Sequence, residues 1–289
     1  MQKRVLHTKS EVVRRLSLLR RSVQWRDRLG EVVVKGKQQV EHLLTTSPDL
    51  RFKEILIPTE MKFDPAGPFY RTHRIHRVPA ELLYYISYHS KPLPSGRVFG
   101  GKEELSDEDK NLLADPAVAD SLVIGSLPHP KLPLPESPRV VLCLDQVVFP
   151  DNVGTLIRTA ASLGVVDAII GTKGTCDFYG WKVLEASGAF GFHIPTKSGL
   201  SAGDVINFSK KHNLFPIVGN SSAGADPRSI SVPKEKDGIM VVIGNERHGP
   251  QAELMDMGFK ARIPINDRMN SLNAGVAGGI LLQLVSSLV

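Results

Sequence analysis

Three short segments hold the residues whose types and spacing suit chemistry on a polar substrate. In the first, Asn152 and Arg158 fall on one stretch of helical periodicity, with Asn152 in its first turn and Arg158 nearly two turns on. An arginine on an otherwise apolar helix is costly to bury without an anionic or polar partner. A surface arginine with its stem packed on a sheet is the plainer reading. The second segment, Gly244-Asn245-Glu246-Arg247-His248-Gly249, follows a fully apolar run. Its two glycines let the backbone approach a ligand closely. Glu246 is either an acid at a helix N-terminus or a polar group aimed into a cleft, and a simple strand-to-helix turn would also use these residues. In the third segment Ser271 reads as a helix cap. Asn273 then precedes Ala274, Gly275, Ala277, Gly278 and Gly279, small residues that imply another backbone packed closely against them. None of the three is specific alone.

The elements that must position these residues are legible around them. Strands are expected at Val140–Leu144, Asp167–Ile170, Phe215–Val218, Ile239–Ile243 and Ala261–Ile265. Helices are expected after Pro150 to about Leu163, at Gly180–Ser187 and Asp204–Lys211, and from about Ser271 to the end. Continuously apolar strands of this kind are buried on both faces, as in a parallel sheet with crossover helices. Ligands of such sheets bind beyond the carboxyl ends of the strands. The residues just after Leu144, Ile243 and Ile265 therefore belong to one edge.

The N-terminal part alternates in the same manner and implies a smaller α/β domain. Strand-like runs lie at Glu31–Lys35, Phe52–Ile57, Thr72–Val78 and Gly96–Phe99, with helix-like runs at Gln38–Leu44 and Ala80–Ser87. The acidic stretch Gly100–Asp120 holds one short helix at most. Ser126–Pro138 carries five prolines and reads as a linker, neither helix nor central strand. The chain thus divides into a first domain over 1–125, a linker over 126–138 and a second domain over 139–289.

Composition excludes several classes. Of the 289 residues 42% are hydrophobic and 23% charged, enough for a sizeable core. No apolar run is long enough to span a membrane. Cys143 and Cys176 form no CxxC pair and have no histidine cluster nearby, which argues against a disulfide framework and a structural zinc site and fits a reducing compartment, and no metal is expected. The net charge of +6 is uneven: residues 1–30 carry +7 and the remainder −1. Such a basic arm, with Arg14, Arg15, Arg20, Arg21 and Arg26, suits a polyanionic partner through counterion release. A solvated helix face and an organelle transit peptide compete with that reading. The pattern Val12-Val13, Leu16, Leu18-Leu19, Val23 argues for an amphipathic helix of the domain itself. Cytosol, plastid and mitochondrion all stay open as compartments.

Taken in order, the three segments resemble the three motifs of the SpoU family of RNA ribose 2′-O-methyltransferases, within the SPOUT superfamily. Asn152, Gly154, Arg158, Thr159 and Ala160 match the first, Gly244, Asn245, Glu246 and Gly249 the second, and Ile263, Pro264, Ser271, Leu272 and Asn273 the third. Glu185-Ala186-Ser187-Gly188-Ala189 is similar to a further stretch of that family. The part from about Glu11 to Phe99 resembles, more weakly, the family's substrate-binding domain of ribosomal-protein type.

The resemblance implies an α/β knot, in which the last part of the sheet and the final helix thread an earlier loop as a deep trefoil, against the usual rule of unknotted chains. It implies S-adenosylmethionine bound in bent form around Gly244, Ile263 and Leu272, a homodimer with that site near the subunit interface, and transfer RNA or ribosomal RNA as substrate. It places Arg158 beside the ribose 2′-hydroxyl, with Asn152, Glu246, Ser271 and Asn273 as the polar shell around it. A guanidinium is effectively always charged, so Arg158 would stabilise the developing alkoxide and would not act as a base. Two departures stand in the third motif: Ile265-Asn266-Asp267 where relatives carry Met-x-Gly, and Ala274-Gly275 where they carry Val-Ser. A rival reading is an inactive RNA-binding or ribosome-assembly protein on the same fold. A dinucleotide-dependent oxidoreductase is a second rival, and the absence of a GxGxxG after a strand counts against it.

Overall fold

The computed structural model describes residues 10–47, 49–61, 74–88, 92–93, 95–96, 105–266 and 268–288. Two compact units meet at His129 and Pro130. In the first unit the chain runs through α1 (Glu11–Arg21), α2 (Val23–Leu29), β1 (Glu31–Lys35), α3 (Lys37–Thr46), β2 (Glu54–Pro58), β3 (Ile75–Val78), α4 (Ala80–Tyr88), α5 (Asp107–Ala114), α6 (Pro116–Ser121) and β4 (Ile124–Pro128). Its four strands are ordered β1-β4-β2-β3, with β4 antiparallel to both neighbours and β2 parallel to β3. The apolar stripe of α1, Val13, Leu16 and Leu19, packs into one core with Leu82, Leu83 and Ile86 of α4. Burying that stripe is what holds this basic helix against the sheet.

Two expectations fail in this unit. Ser126, Leu127 and Pro128 are not linker but the end of β4, which is paired on both sides. Only Pro128 lacks an amide hydrogen, and it stands at the strand's last position, where a missing donor is tolerated. The acidic stretch also holds two helices, α5 and α6. Ser106 caps the first and Asp115 the second, with Pro116 in the opening turn of α6. The expected strand at Gly96–Phe99 lies outside the described residues apart from Gly96, which forms a bend.

The second unit is an α/β layer with a six-stranded, wholly parallel sheet. Its elements are β5 (Val140–Asp145), α7 (Pro150–Leu163), β6 (Ala168–Thr172), α8 (Trp181–Ser187), β7 (Thr196–Leu200), α9 (Ala202–Lys211), β8 (Leu214–Gly219), β9 (Gly238–Gly244), α10 (Ala252–Met255), β10 (Phe259–Ala261) and α11 (Ala274–Val285). The order is β10-β8-β9-β5-β6-β7, and every pairing is parallel. β5 and β9 lie side by side at the centre, each buried along almost its whole length. Their carboxyl ends therefore deliver the loops after Asp145 and Gly244 to adjacent points on one edge.

Three boundaries differ from expectation here. The short strand ends at Ala261, so Ile263 and Ile265 lie beyond it in irregular chain. The final helix begins at Ala274, because Asn273 and not Ser271 caps it: the Asn273 side chain accepts from the Gly275 and Val276 amides. β7 was not anticipated at all. As an edge strand of sequence TKSGL it buries only Leu200 and offers no apolar run to read. The small residues of α11 serve packing within the chain. A methyl at Gly278 would strike the end of the Leu156 side chain of α7, so at this spacing of α11 against α7 and β9 that side chain would have to shift.

Candidate active site

Three loops converge at the carboxyl edge of the sheet, and hydrogen bonds lock their polar residues together. Glu246, just past β9, accepts from the side-chain amide of Asn152 at 2.8 Å and from the backbone amides of Val148 and Phe149 at 3.4 Å. Its carboxylate therefore stands at the N-terminus of α7, where orphan amides and the helix dipole favour negative charge. It is an N-terminal acid, as its position allowed, but of α7 and not of the helix that follows it in sequence. Asn152 is buried in the first turn of α7, and its side-chain oxygen accepts from Asn273 at 2.8 Å. Asn273 in turn caps α11. One polar chain, Glu246–Asn152–Asn273, thus ties together the loop after β9, the start of α7 and the start of α11. Because Asn152 donates on one side and accepts on the other, its amide orientation is fixed by its partners.

Beside this chain lies a cleft of about 680 Å³, walled by the ends of β8 and β9 and by the irregular chain before α11. Gly244, Glu246, Ile263, Ser271 and Leu272 all line it. Its volume lies in the range of sites for small organic ligands. The Gly244–Gly249 loop folds back on itself through reciprocal backbone bonds between Asn245 and Gly249 at 3.2 and 2.9 Å. A side chain at Gly244 would collide with Pro250 and with the Gly249 carbonyl carbon, so the tight return of this loop requires glycine there. Leu272 is exposed on the rim, as are Arg247 and His248.

The remaining expected residues fall elsewhere. Arg158 is exposed on α7, does not line the cleft, and has no hydrogen bond or ion pair among the described residues. Ser271 reaches the cleft but bonds to none of the other four. Within one chain, Asn152, Glu246 and Asn273 come together and Arg158 does not join them. Of the five arginines singled out in the basic arm, three serve the first unit's own structure. Arg15 bridges Glu31 and Glu54 at 2.9 and 3.0 Å, while Arg20 and the buried Arg26 donate to the Ser87 and Leu19 carbonyls. Arg14 and Arg21 remain exposed, Arg21 donating to the Ser17 carbonyl. Sequence reading passed over Asp145, Thr172 and Gln251, which are hydrogen-bonded behind the cleft. An aspartate at the end of a buried strand was the available signal. Among the described residues no group of three His, Cys, Asp or Glu is placed to hold a metal, and no helix is long and apolar enough to cross a membrane.

Comparison with known proteins agrees with this geometry. Residues 139–283 match the model of the SpoU rRNA Methylase family. A 23S rRNA (guanosine(2553)-2'-O)-methyltransferase, RlmP, of Bacillus subtilis (strain 168) is 30% identical over 145 residues, which are 50% of this chain and 56% of that protein. A 23S rRNA (adenosine(1067)-2'-O)-methyltransferase of Streptomyces laurentii is 26% identical over 144 residues, 50% of this chain and 52% of that one. The chain thus spans about half the length of the relatives it matches in sequence. In fold it is similar to the SpoU methyltransferase AviRb from Streptomyces viridochromogenes in complex with AdoMet. That likeness has a TM-score of 0.72 at 19% identity and covers 97% of this chain and 98% of the other. The motif residues, the parallel sheet that gathers them and the match over residues 139–283 lead to one assignment: the chain belongs to the SpoU rRNA Methylase family.

Proposed function

We propose that the protein transfers a methyl group from S-adenosylmethionine to a ribose 2′-hydroxyl of structured RNA, transfer or ribosomal. The observation that carries this is the polar chain Glu246–Asn152–Asn273 at the edge of a cleft of about 680 Å³. The residues present suit S-adenosylmethionine. Gly244, Ile263 and Leu272 all line the cleft, and the two aliphatic side chains offer apolar surface. Bound there, S-adenosylmethionine supplies an electrophilic methyl group. The chain's own part is to orient the hydroxyl, which accounts for much of the rate enhancement in reactions of this kind. It also stabilises charge on the oxygen as its proton leaves, and Arg158 is the residue assigned to that task. The names of both sequence relatives specify 23S ribosomal RNA, which supports RNA as the substrate class.

Arg158 stands apart from the cleft of its own chain, and this supports a homodimer. Three positions from it on α7, Thr155 borders an apolar groove of about 620 Å³ between α7 and α11, where Val276 and Ile280 are 52% and 37% exposed. Residues three apart share a helix face. Burying this face against a second copy would carry Arg158 of each protomer toward the other's cleft. The trefoil knot belongs to the same proposal, with the chain from β10 into α11 threaded through an earlier loop, as does a substrate-binding role of ribosomal-protein type for the first unit.

The test is transfer of label from S-adenosylmethionine to total tRNA and, separately, to ribosomal RNA, with alkali-resistant dinucleotides scored. Label in such dinucleotides is the expected result. Cofactor binding with no label in either pool would instead favour the inactive RNA-binding reading. An Arg158→Ala protein is expected to bind S-adenosylmethionine normally and to lose at least about 100-fold in turnover.

A further inference from the structure

One fully buried carboxylate at the functional edge has no part in the reading above. Asp145 is the last residue of β5 and is 0% exposed. It accepts from the Thr172 hydroxyl at 2.7 Å, from the Gln251 side-chain amide at 2.6 Å and from the Gln251 backbone amide at 2.6 Å. No cation pairs with it among the described residues, so neutral donors alone offset the loss of water around it. These donors come from two places: the end of β6, and the chain just past the Gly244–Gly249 loop.

The network extends through Thr172. Its hydroxyl donates to Asp145 and accepts from the Gln146 backbone amide at 3.0 Å. Gln146 holds a left-handed backbone at φ 55, a conformation unfavourable for a residue with a side chain. Its carbonyl accepts from the Asn245 side chain at 2.9 Å. The Asn245 side-chain oxygen accepts from the Arg247 and His248 amides at 2.9 and 3.2 Å. The loop that walls the cleft therefore closes on itself and, besides the bonds Glu246 accepts from Val148, Phe149 and Asn152, is anchored outside itself at two points. One is Asn245 on Gln146, and the other is Gln251 on Asp145. Both anchors trace back to the pair Asp145–Thr172. The same Gln146 turn sets the course of Val148 and Phe149, whose amides hold Glu246.

We propose that Asp145 and Thr172 are positioning residues of this site. From behind the sheet edge they fix both the cleft wall at 244–251 and the turn that presents amides to Glu246, without touching a ligand. The inference concerns the order of those loops, and it rests on the proposed S-adenosylmethionine site only for its second measurement.

Asp145→Asn would set an amide against donors on every side. Because that residue is central to the sheet, Thr172→Val and Thr172→Ser serve as the decisive pair. Valine keeps the shape and loses both bonds, whereas serine keeps the hydroxyl. The first measurement is amide hydrogen exchange at Gln146, Gly249 and Gln251 in the ligand-free protein. The second is calorimetric binding of S-adenosylmethionine, with Tm recorded for each variant. Thr172→Val is expected to speed exchange at all three amides and to weaken binding about tenfold, and Thr172→Ser to restore both. Exchange and affinity at wild-type values in Thr172→Val overturn the proposal. So does a drop in Tm shared by the valine and serine variants with exchange at those amides unchanged. A wild-type protein that fails to bind S-adenosylmethionine overturns the functional reading instead, and the exchange contrast between valine and serine still decides this one.

Discussion

At the scale of single residues, Asn152 is the pivot, because its amide is used from both ends. Removing it leaves the half-buried Glu246 carboxylate short of a donor and leaves Asn273 with its helix cap as its remaining bond. Asn152→Ala is expected to lower kcat/KM for methyl transfer by about 10- to 100-fold, since an unmet bond to a charged group is worth about 1–3 kcal/mol. Steady-state kinetics beside a thermal melt checks this. A loss of Tm with no loss of kcat/KM would make the residue structural only. The two cysteines give a separate residue-scale prediction. Burial, with Asp145 close by, pushes the Cys143 thiol far above its ordinary range. The thiolate is the reactive form. Iodoacetamide at neutral pH should therefore leave Cys143 unmodified in the folded protein and modify it after denaturation, as peptide mass mapping would show.

At the scale of elements, α9 shows how local sequence fixes a boundary. Ser201 and Asp204 form a reciprocal capping box at its start. Ser201→Ala is expected to cost about 1 kcal/mol, read as a lower urea midpoint with unchanged slope. Hydrogen bonds from Ser201 hold the Asp204 carboxyl below the ordinary aspartate value. A group lowered on folding stabilises the protein above its unfolded pKa of about 3.9, and that stabilisation fades as pH falls through the lowered value. The pH at which the helix loses this support is thus below 4, and the Ser201→Ala variant should lose the hydroxyl's part of the effect and keep the part due to the Ser201 backbone amide. Gly278 makes the same point through packing. Gly278→Val would force α11 off Leu156 and destabilise the protein by about 1–3 kcal/mol in a denaturant titration. What sequence reveals follows from such local causes. β5 and β9 were legible because continuous apolar runs admit one plain reading. The meeting of Asn152, Glu246 and Asn273 was legible only through the motifs, since their contacts span 94 and 121 positions in sequence. β4 was obscured because its Pro128 belongs to the same proline series as the true connection. β7 and the second acidic helix carry too little apolar pattern to be read. The exposure of Arg158 agrees with its plainer reading as a surface arginine, but what it faces was not legible, since helical spacing sets a residue's angle on its own helix and not what lies opposite.

At the scale of the whole molecule, the proposed homodimer turns on the apolar groove between α7 and α11. If a second copy covers it, an Ile280→Asp, Val276→Asp protein should run as a monomer in light scattering and lose methyl transfer, while the wild type runs as a dimer. A monomeric wild type with full activity would rule out a shared site. The division at His129 and Pro130 separates the two units in sequence, but they differ in how they can be made. In the first unit β4, the last segment of the chain to arrive, lies between β1 and β2 and pairs with both. On the ribosome, everything up to residue 123 emerges as a sheet with its middle missing and two strand edges open to other chains. The unit closes only once Pro128 has cleared the exit tunnel, and the connection that follows it carries four further prolines up to Pro138. A stall in translation before that point would release a sticky half-sheet, and one just after it a finished unit, so the protein's own chain order sets the moment at which synthesis becomes safe.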